Sequence, residues 1–342
     1  MRSSWDSGWD RRWWEEASEQ HGWQEAPAWQ ESDWGGRNEW TCQWEQTNTH
    51  HDWWSEESSL DVQAHSVDFG DRQWDILAFD LFAFHGFVIV TGVLTPEQCR
   101  EVHGACQRTA AEIIGLGCKG NRGYGRYSFG VASPSGGMLH LPAFSRHLLD
   151  AGGSALGSLL HRIFGEGKQQ GESAYMCYSS GGDFVLGNVP THQDLHADIV
   201  VKKDIDQWLP PPMVSVNYVV HDICRQNGPM RIIPRTQLHR GGVPQHQPSR
   251  WEHSCLCPLP AGAAIVRDVR VLHSGTANWT DSIRFLPSVE YVSLGFRSTN
   301  RADCFPPRRC LPRKLYYWLS PSVQELCREI VDWDDSETSW SW

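Results

Sequence analysis

The chain has 342 residues, room for one large domain or two small ones. Its net charge of −11 is concentrated in residues 1–65, which carry 14 Asp and Glu against four Arg and no Lys. The other 27 acidic and 26 basic residues nearly cancel, so the body offers no basic surface for nucleic acid or for an anionic membrane. Eleven cysteines, an odd number without regular spacing or a CxxC, fit a reducing compartment better than a disulfide scaffold. Cys255 and Cys257, the one close pair, read as buried or incidental thiols. No apolar run reaches bilayer length, no apolar signal core follows Met1, and acidic residues from Asp6 argue against a transit peptide. The expectation is a cytoplasmic protein without a membrane partner.

In chain order, residues 1–65 are low-complexity and hold 11 of the 19 Trp. Trp5, Trp9 and Trp13 would stripe one face of a helix. With almost no aliphatic neighbours that stripe cannot build a core, so a disordered acidic tail is expected, with a protein as its possible partner. Phe84–Val90 reads as a strand. It leads into Thr95-Pro96-Glu97-Gln98, which has an N-cap Thr, Pro at the first helical position and Gln closing a capping box. Val102, Ala105, Cys106, Thr109 and Ile113 then keep helical spacing until Gly115 and Gly117. A second helix is predicted over Ser154–Phe164.

After residue 172 short strands follow: Ala174–Tyr178, Met213–Val220, Met230–Ile233, Ala263–Val266 and Phe285–Ser293, with a strong turn at Asn227-Gly228-Pro229. Trp208–Pro212 reads as a polyproline-type connector. Pro321–Trp333 reads as a last amphipathic helix with Ser322 and Glu325 as a capping box. Strands in series behind leading helices predict a mainly β fold with flanking helices, a jelly roll. The expected layout is a tail over 1–65, one domain over 66–320, and a C-terminal helix with an acidic tail over 321–342.

The chemistry lies in a split set of ligand types: His192-Gln193-Asp194, then His273, then Arg284 eleven residues later. Two imidazoles and a carboxylate can occupy one face of an Fe(II) octahedron and leave three positions open. The guanidinium fork of Arg284 suits the carboxylate of a dicarboxylic co-substrate. Val269–His273 reads as a strand ending at the second histidine, and Ile283-Arg284-Phe285 as the start of the returning strand. An antiparallel hairpin would bring Arg284 beside His273. Leu195-His196-Ala197-Asp198 offers a second HxD four residues on. His196 there is either part of that alternative set or a residue that lines the pocket and orients a ligand.

Four stretches resemble the phytanoyl-CoA dioxygenase family of Fe(II)/2-oxoglutarate oxygenases: Gly86–Thr95, His192-Gln193-Asp194-Leu195, Asn227–Pro234, and His273–Asn278 with Arg284. The resemblance covers roughly residues 67–300 and, through HQDL, favours the His192/Asp194 register. It implies a double-stranded β-helix with His192, Asp194 and His273 as metal ligands and catalytic centre. Arg284 would hold the distal carboxylate of 2-oxoglutarate, with Thr276, Asn217 and Tyr178 lining that pocket. The implied activity is Fe(II)/2-oxoglutarate-dependent dioxygenation, hydroxylating a small organic or acyl substrate with O2 and releasing succinate and CO2. By the same resemblance, a carboxylate at the ligand position points to hydroxylation or a related oxidation rather than halogenation. Two positions depart from the family pattern. Pro234-Arg235-Thr236-Gln237-Leu238-His239 lacks the glycine and Ser/Thr-His that many members place after the proline. Gly275 stands where some members have a serine that contacts the co-substrate, and Thr276 is its nearest replacement. The alternative reading is a catalytically silent β-helix that binds through its pocket and Trp-rich tail.

Overall fold

The computed structural model describes residues 60–117, 120–133, 136–165, 167, 173–199, 210–238, 254–298 and 309–334. The predicted tail up to residue 59, Trp208 and Leu209 of the connector, His239, and the acidic end from residue 335 lie outside these residues.

Alternation along the strands builds two layers. In β2 (Phe87–Thr91), Val88 and Val90 join a large core shared with the helices, while Phe87 and Ile89 face a second, smaller core. β8 (Ala264–Asp268) repeats the pattern: Ala264 and Val266 face the helices and Ile265 the smaller core. These strands belong to a seven-stranded sheet of order β1-β2-β8-β5-β10-β4-β3. Its other members are β1 (Ser66–Asp68), β3 (Arg126–Ser128), β4 (Tyr175–Val185), β5 (Met213–Tyr218) and β10 (Arg284–Ser293). Against its inner face lies a three-stranded sheet of order β7-β6-β9, made by β6 (Met230–Ile232), β7 (Cys255–Cys257) and β9 (His273–Gly275). The architecture is sheet-rich with flanking helices, a jelly roll without a closed barrel. Cys255 and Cys257 lie buried on β7 in the inner core.

Helices cover the outer face. The first, α1 (Trp74–His85), is not visible to periodicity because it is apolar nearly all round and buries Ala78, Phe79, Phe82, Ala83 and Phe84. Phe84 and His85, expected in a strand, end this helix instead. Gly86 at φ +79° caps it, and a Cβ there would lie 2.4 Å from Val271 Cγ2. The next, α2 (Pro96–Gly115), begins with the expected capping box: Gln98 N–H donates to Thr95 Oγ1 at 3.3 Å, and Thr95 N–H donates to Gln98 Oε1 at 2.8 Å. Its buried face includes Val102, Ala105, Cys106, Thr109 and Ile113. A π-helical turn over Phe144–Gly152 leads toward α3 (Gly157–Phe164), within the predicted second helix. The last helix, α4 (Pro321–Cys327), is shorter than expected. Its N-cap is Ser320 without a side-chain cap bond, and the chain turns at Arg328–Ile330 into β12 (Val331–Asp332), paired with β11 (Leu311–Pro312). Among the described residues no helix is long and apolar enough to cross a membrane.

Two connections position the site. After β8, Arg270 grips Asp268 through Nε–Oδ1 at 2.9 Å and Nη2–Oδ2 at 2.6 Å, both side chains buried. This braced turn carries the chain from the large sheet to the small one. His273 therefore opens β9 rather than closing a strand begun at Val269. The return crossing is pinned by buried Asn278, whose Nδ2 donates to the carbonyls of Leu186 (3.0 Å) and Ser282 (2.7 Å). Consequently β9 and β10 are not the two arms of a hairpin. β9 pairs with β6, and β10 pairs with β4 and β5, so Arg284 reaches β9 across the gap between sheets.

Candidate metal and co-substrate site

One edge of β9 is bonded to β6, with Ile232 opposite His273 and Met230 opposite Gly275. The other edge receives the segment 189–198. Val189 pairs with Asn278, Gln193 N–H donates to the Gly275 carbonyl at 2.9 Å, and His196 and His273 exchange backbone bonds of 3.0 and 2.8 Å. An antiparallel bridge sets its two residues side by side, and the His196 and His273 rings lie 4.4 Å apart between centroids. Asp198, two residues on, points the same way, with Oδ1 3.8 Å from the Nε2 of each histidine.

Backbone and arginine contacts then orient all three groups. His196 Nδ1 lies 2.8 Å from the Asp194 carbonyl and His273 Nδ1 lies 3.0 Å from that of Val271. In the tautomer whose Nδ1–H donates to these carbonyls, both Nε2 lone pairs face Asp198. Arg267 Nη2 donates to Asp198 Oδ2 at 2.8 Å, which leaves Oδ1 turned to the imidazoles, and its Nη1 sits 3.3 Å from His273 Nδ1. Among the described residues, His196, Asp198 and His273 are the group whose ligand atoms all lie within 4.8 Å of one another. Burial first, then the Arg267 charge, pushes His273 down to about 3, so its imidazole is neutral. Burial alone would raise the Asp198 carboxyl, but Arg267, His273 and His196 more than reverse this and hold it well below the usual carboxylate range. Two imidazoles, that of His273 held neutral, with an ionised carboxylate are a donor set suited to non-haem Fe(II).

The structure does not gather the expected His192 and Asp194 with His273. His192 lies beside the chain beyond the end of β9, its Nδ1 accepting from Ala277 N–H at 3.1 Å, and burial followed by Arg231 and Arg126 pushes it down to about 4. Asp194 is exposed. Arg284, by contrast, is 1% exposed and stands on the inner face of β10, its Nη1 donating to Asp183 Oδ1 at 2.8 Å. Its Nη2 approaches Gly275, two residues beyond His273 on the same side of β9. Asn217, buried on β5 opposite Ser288, shares that inner face. Thr276 Oγ1 is already committed, donating to the Pro229 carbonyl at 2.7 Å. Tyr178 packs in the large core with the helices.

Three charged residues of this region escaped sequence reasoning: Arg126, Asp183 and Arg267. Each sits at an inner strand position next to a residue that faces the helix-side core: Tyr127, Phe184 and Val266. A buried charge at a core-facing strand position was the available signal.

The model of the phytanoyl-CoA dioxygenase family matches residues 82–286, more than half of the chain. The chain belongs to this family. Within the match lie all three members of the His196–Asp198–His273 cluster, Arg267 and Arg284. No curated protein matches. Solved structures with a similar fold include the non-haem monooxygenase ThoJ, at 17% identity over 62% of this chain and 75% of that one, TM-score 0.44. The 2-oxoglutarate-dependent epimerase SnoN from nogalamycin biosynthesis aligns at 17% identity, over 64% and 82%, TM-score 0.44. HygX from Streptomyces hygroscopicus, solved with nickel, 2-oxoglutarate and hygromycin B, aligns at 12% identity over 66% and 88%, TM-score 0.45. For this phytanoyl-CoA dioxygenase family member, the cluster offers two imidazoles and a carboxylate that could hold a metal ion, oriented by the Asp194 and Val271 carbonyls and by Arg267.

Proposed function

We propose that the protein is an Fe(II)/2-oxoglutarate-dependent dioxygenase that hydroxylates a small organic or acyl substrate, with His196, Asp198 and His273 as the metal ligands. The observation that carries this is the convergence of His196 Nε2, His273 Nε2 and Asp198 Oδ1 with both Nδ1 atoms tied to backbone carbonyls. Family membership supports the reaction type. Bound Fe(II) and 2-oxoglutarate would supply oxygen activation, with succinate and CO2 as co-products.

The chain's own residues would do the rest. Arg267 holds Asp198 with one oxygen presented to the metal. Arg284, with Nη1 fixed on Asp183, offers Nη2 to the far carboxylate of the co-substrate. Apolar neighbours such as Leu286 close the inner end against water.

The test is an anaerobic titration with Fe(II) and then 2-oxoglutarate, following the visible iron–keto acid charge-transfer band. We expect the band in the wild type, in His192→Ala and in Asp194→Ala, and none in His196→Ala or Asp198→Ala. Loss in the first pair with retention in the second would move the ligand set four residues back, to the register that the HQDL resemblance favours. Folded, metal-loaded protein without any band would instead favour a silent β-helix that binds through its pocket.

A further inference from the structure

Arg126 opens β3 and is 1% exposed. Its backbone is fixed by a glycine turn: Arg122 N–H donates to the Arg126 carbonyl at 3.2 Å, and Arg126 N–H to that of Gly123 at 3.1 Å. Its Nη2 is spent on the carbonyls of Thr191 (2.9 Å) and Thr276 (2.5 Å). Nη1 and Nε are buried and have no hydrogen-bond partner among the described residues. A buried guanidinium with idle donors is costly unless something completes it.

Where Nη1 points is informative. A Cβ built on Gly275 would lie 2.7 Å from Arg126 Nη1, 3.3 Å from Gln193 Oε1 and 3.5 Å from Arg284 Nη2. Two guanidinium groups thus converge on the space above one residue of β9, on the side where His273 stands. Around them burial alone would raise the Asp183 carboxyl, but Arg284, then Arg122 and Arg126, outweigh it and depress it. Two buried cations sharing one half-buried anion leave room for one more negative group. The neighbouring hydroxyl of Thr276 cannot serve it, being already bound to Pro229.

We propose that Arg126 is a second carboxylate-binding residue. Together with Arg284 it grips the distal carboxylate of the dicarboxylic co-substrate, and glycine at 275 is what admits its Nη1. The inference rests on the 2-oxoglutarate reading above. Arg126 takes over the contact that a side chain at 275 would make, so the two positions are exclusive alternatives.

The test uses full-length protein loaded with Co(II) in place of iron, with calorimetric affinities for two ligands. One is 2-oxoglutarate; the other is 2-oxovalerate, which keeps the keto acid and lacks the distal carboxylate. Arg126→Gln should weaken 2-oxoglutarate by roughly 10- to 100-fold, the range for a lost hydrogen bond to a charged group. It should leave 2-oxovalerate and Co(II) affinity unchanged. Gly275→Ala should weaken 2-oxoglutarate by displacing Nη1, yet add little further in the Arg126→Gln background. Tight 2-oxoglutarate binding by Arg126→Gln, alongside loss in Arg284→Gln, overturns this inference alone. Equal loss of both keto acids in Arg126→Gln also overturns it, since that marks a general distortion. Co(II)-loaded wild type that binds no 2-oxoglutarate removes the proposed function and this inference with it.

Discussion

At one end of the space between the two sheets Phe87, Ile89, Ile232, Cys255, Cys257 and Ile265 meet side by side. At the other end the same strands and their neighbours present Arg267, Ser215, Asn217, Ser288 and Arg284, all buried. β8 carries both characters within five residues, Ile265 at the apolar end and Arg267 at the polar one. The backbone ladder is continuous across this change, so the pleat alone does not decide what an inner position holds. The apolar end obtains its stability from burial, which tolerates no water. The polar end accepts the cost of buried charge and is then braced by ion pairs: Arg267 with Asp198, Arg284 with Asp183, Arg270 with Asp268. One half is built to be shut and the other to be completed by ligands.

The largest expected effect is collective and reaches both ends of the fold, His273 and His192 at the polar end and His85 at the apolar one. Burial holds four imidazoles neutral, pushing His85 and His273 down to about 3 and His192 and His221 to about 4. Each folded value lies below the unfolded one near 6.5, so the unfolded chain takes up protons first as pH falls. Stability is therefore full above about pH 6.5 and is lost toward pH 4, with a slope of up to about 1.4 kcal/mol per pH unit for each group. Asp198 and Asp183, whose values are depressed, contribute stability that is full above about pH 4 and is lost only below it, where their unfolded counterparts protonate. Thermal melts of metal-free protein between pH 7.5 and 4.5 should show Tm falling steadily through this window. A flat profile would mean that these imidazoles are not held neutral.

Next in size is a single change at the apolar end. Phe87 is fully buried and stacks on His65 at 5.2 Å. Phe87→Ala should cost about 3–5 kcal/mol of stability while metal affinity, measured below the lowered Tm, stays within about two-fold. A large loss of metal affinity would show that the two ends are mechanically coupled. Arg267→Met makes the converse experiment. It strips Asp198 of its partner, and metal affinity should drop by roughly 10- to 100-fold, as for other residues that orient a ligand. Equilibrium dialysis against Co(II) reads this directly; unchanged affinity would remove Asp198 from the ligand set.

Much of the fold was legible before the structure because its signals are local. The Thr95–Gln98 capping box and the alternation of β2 and β10 depend on neighbours within one element. What stayed hidden depends on distant pairing. α1 is apolar nearly all round, so no period betrays it, and Gly86 as a helix cap is indistinguishable in sequence from a glycine within a strand run. A hairpin would bring Arg284 beside His273, whereas in the structure Arg284 approaches β9 at Gly275 across the gap between sheets. Arg126 and Thr276 touch across 150 residues of chain, which no spacing rule captures.

The smallest expected effect addresses register. Both HxD triplets place their histidine and aspartate on one side of an extended segment, so a slide of four residues preserves every inward and outward direction. Alternation therefore cannot choose between them. Packing can: Leu195 is 3% exposed and joins Ile233 and Leu272 in a small cluster beside the site. Sliding His192 into the place of His196 would put Thr191 where Leu195 stands and trade an apolar contact for a hydroxyl. Asp194 then contributes only its carbonyl, which receives the His196 Nδ1–H, while its side chain faces solvent. Asp194→Asn should accordingly leave stability within about 0.5 kcal/mol, as for other surface changes, and leave metal affinity unaltered in the same dialysis. Leu195→Thr, in contrast, removes the packing that opposes the slide. If metal binding becomes sensitive to Asp194→Asn only in that background, Leu195 is the residue that selects His196 and Asp198 over their neighbours.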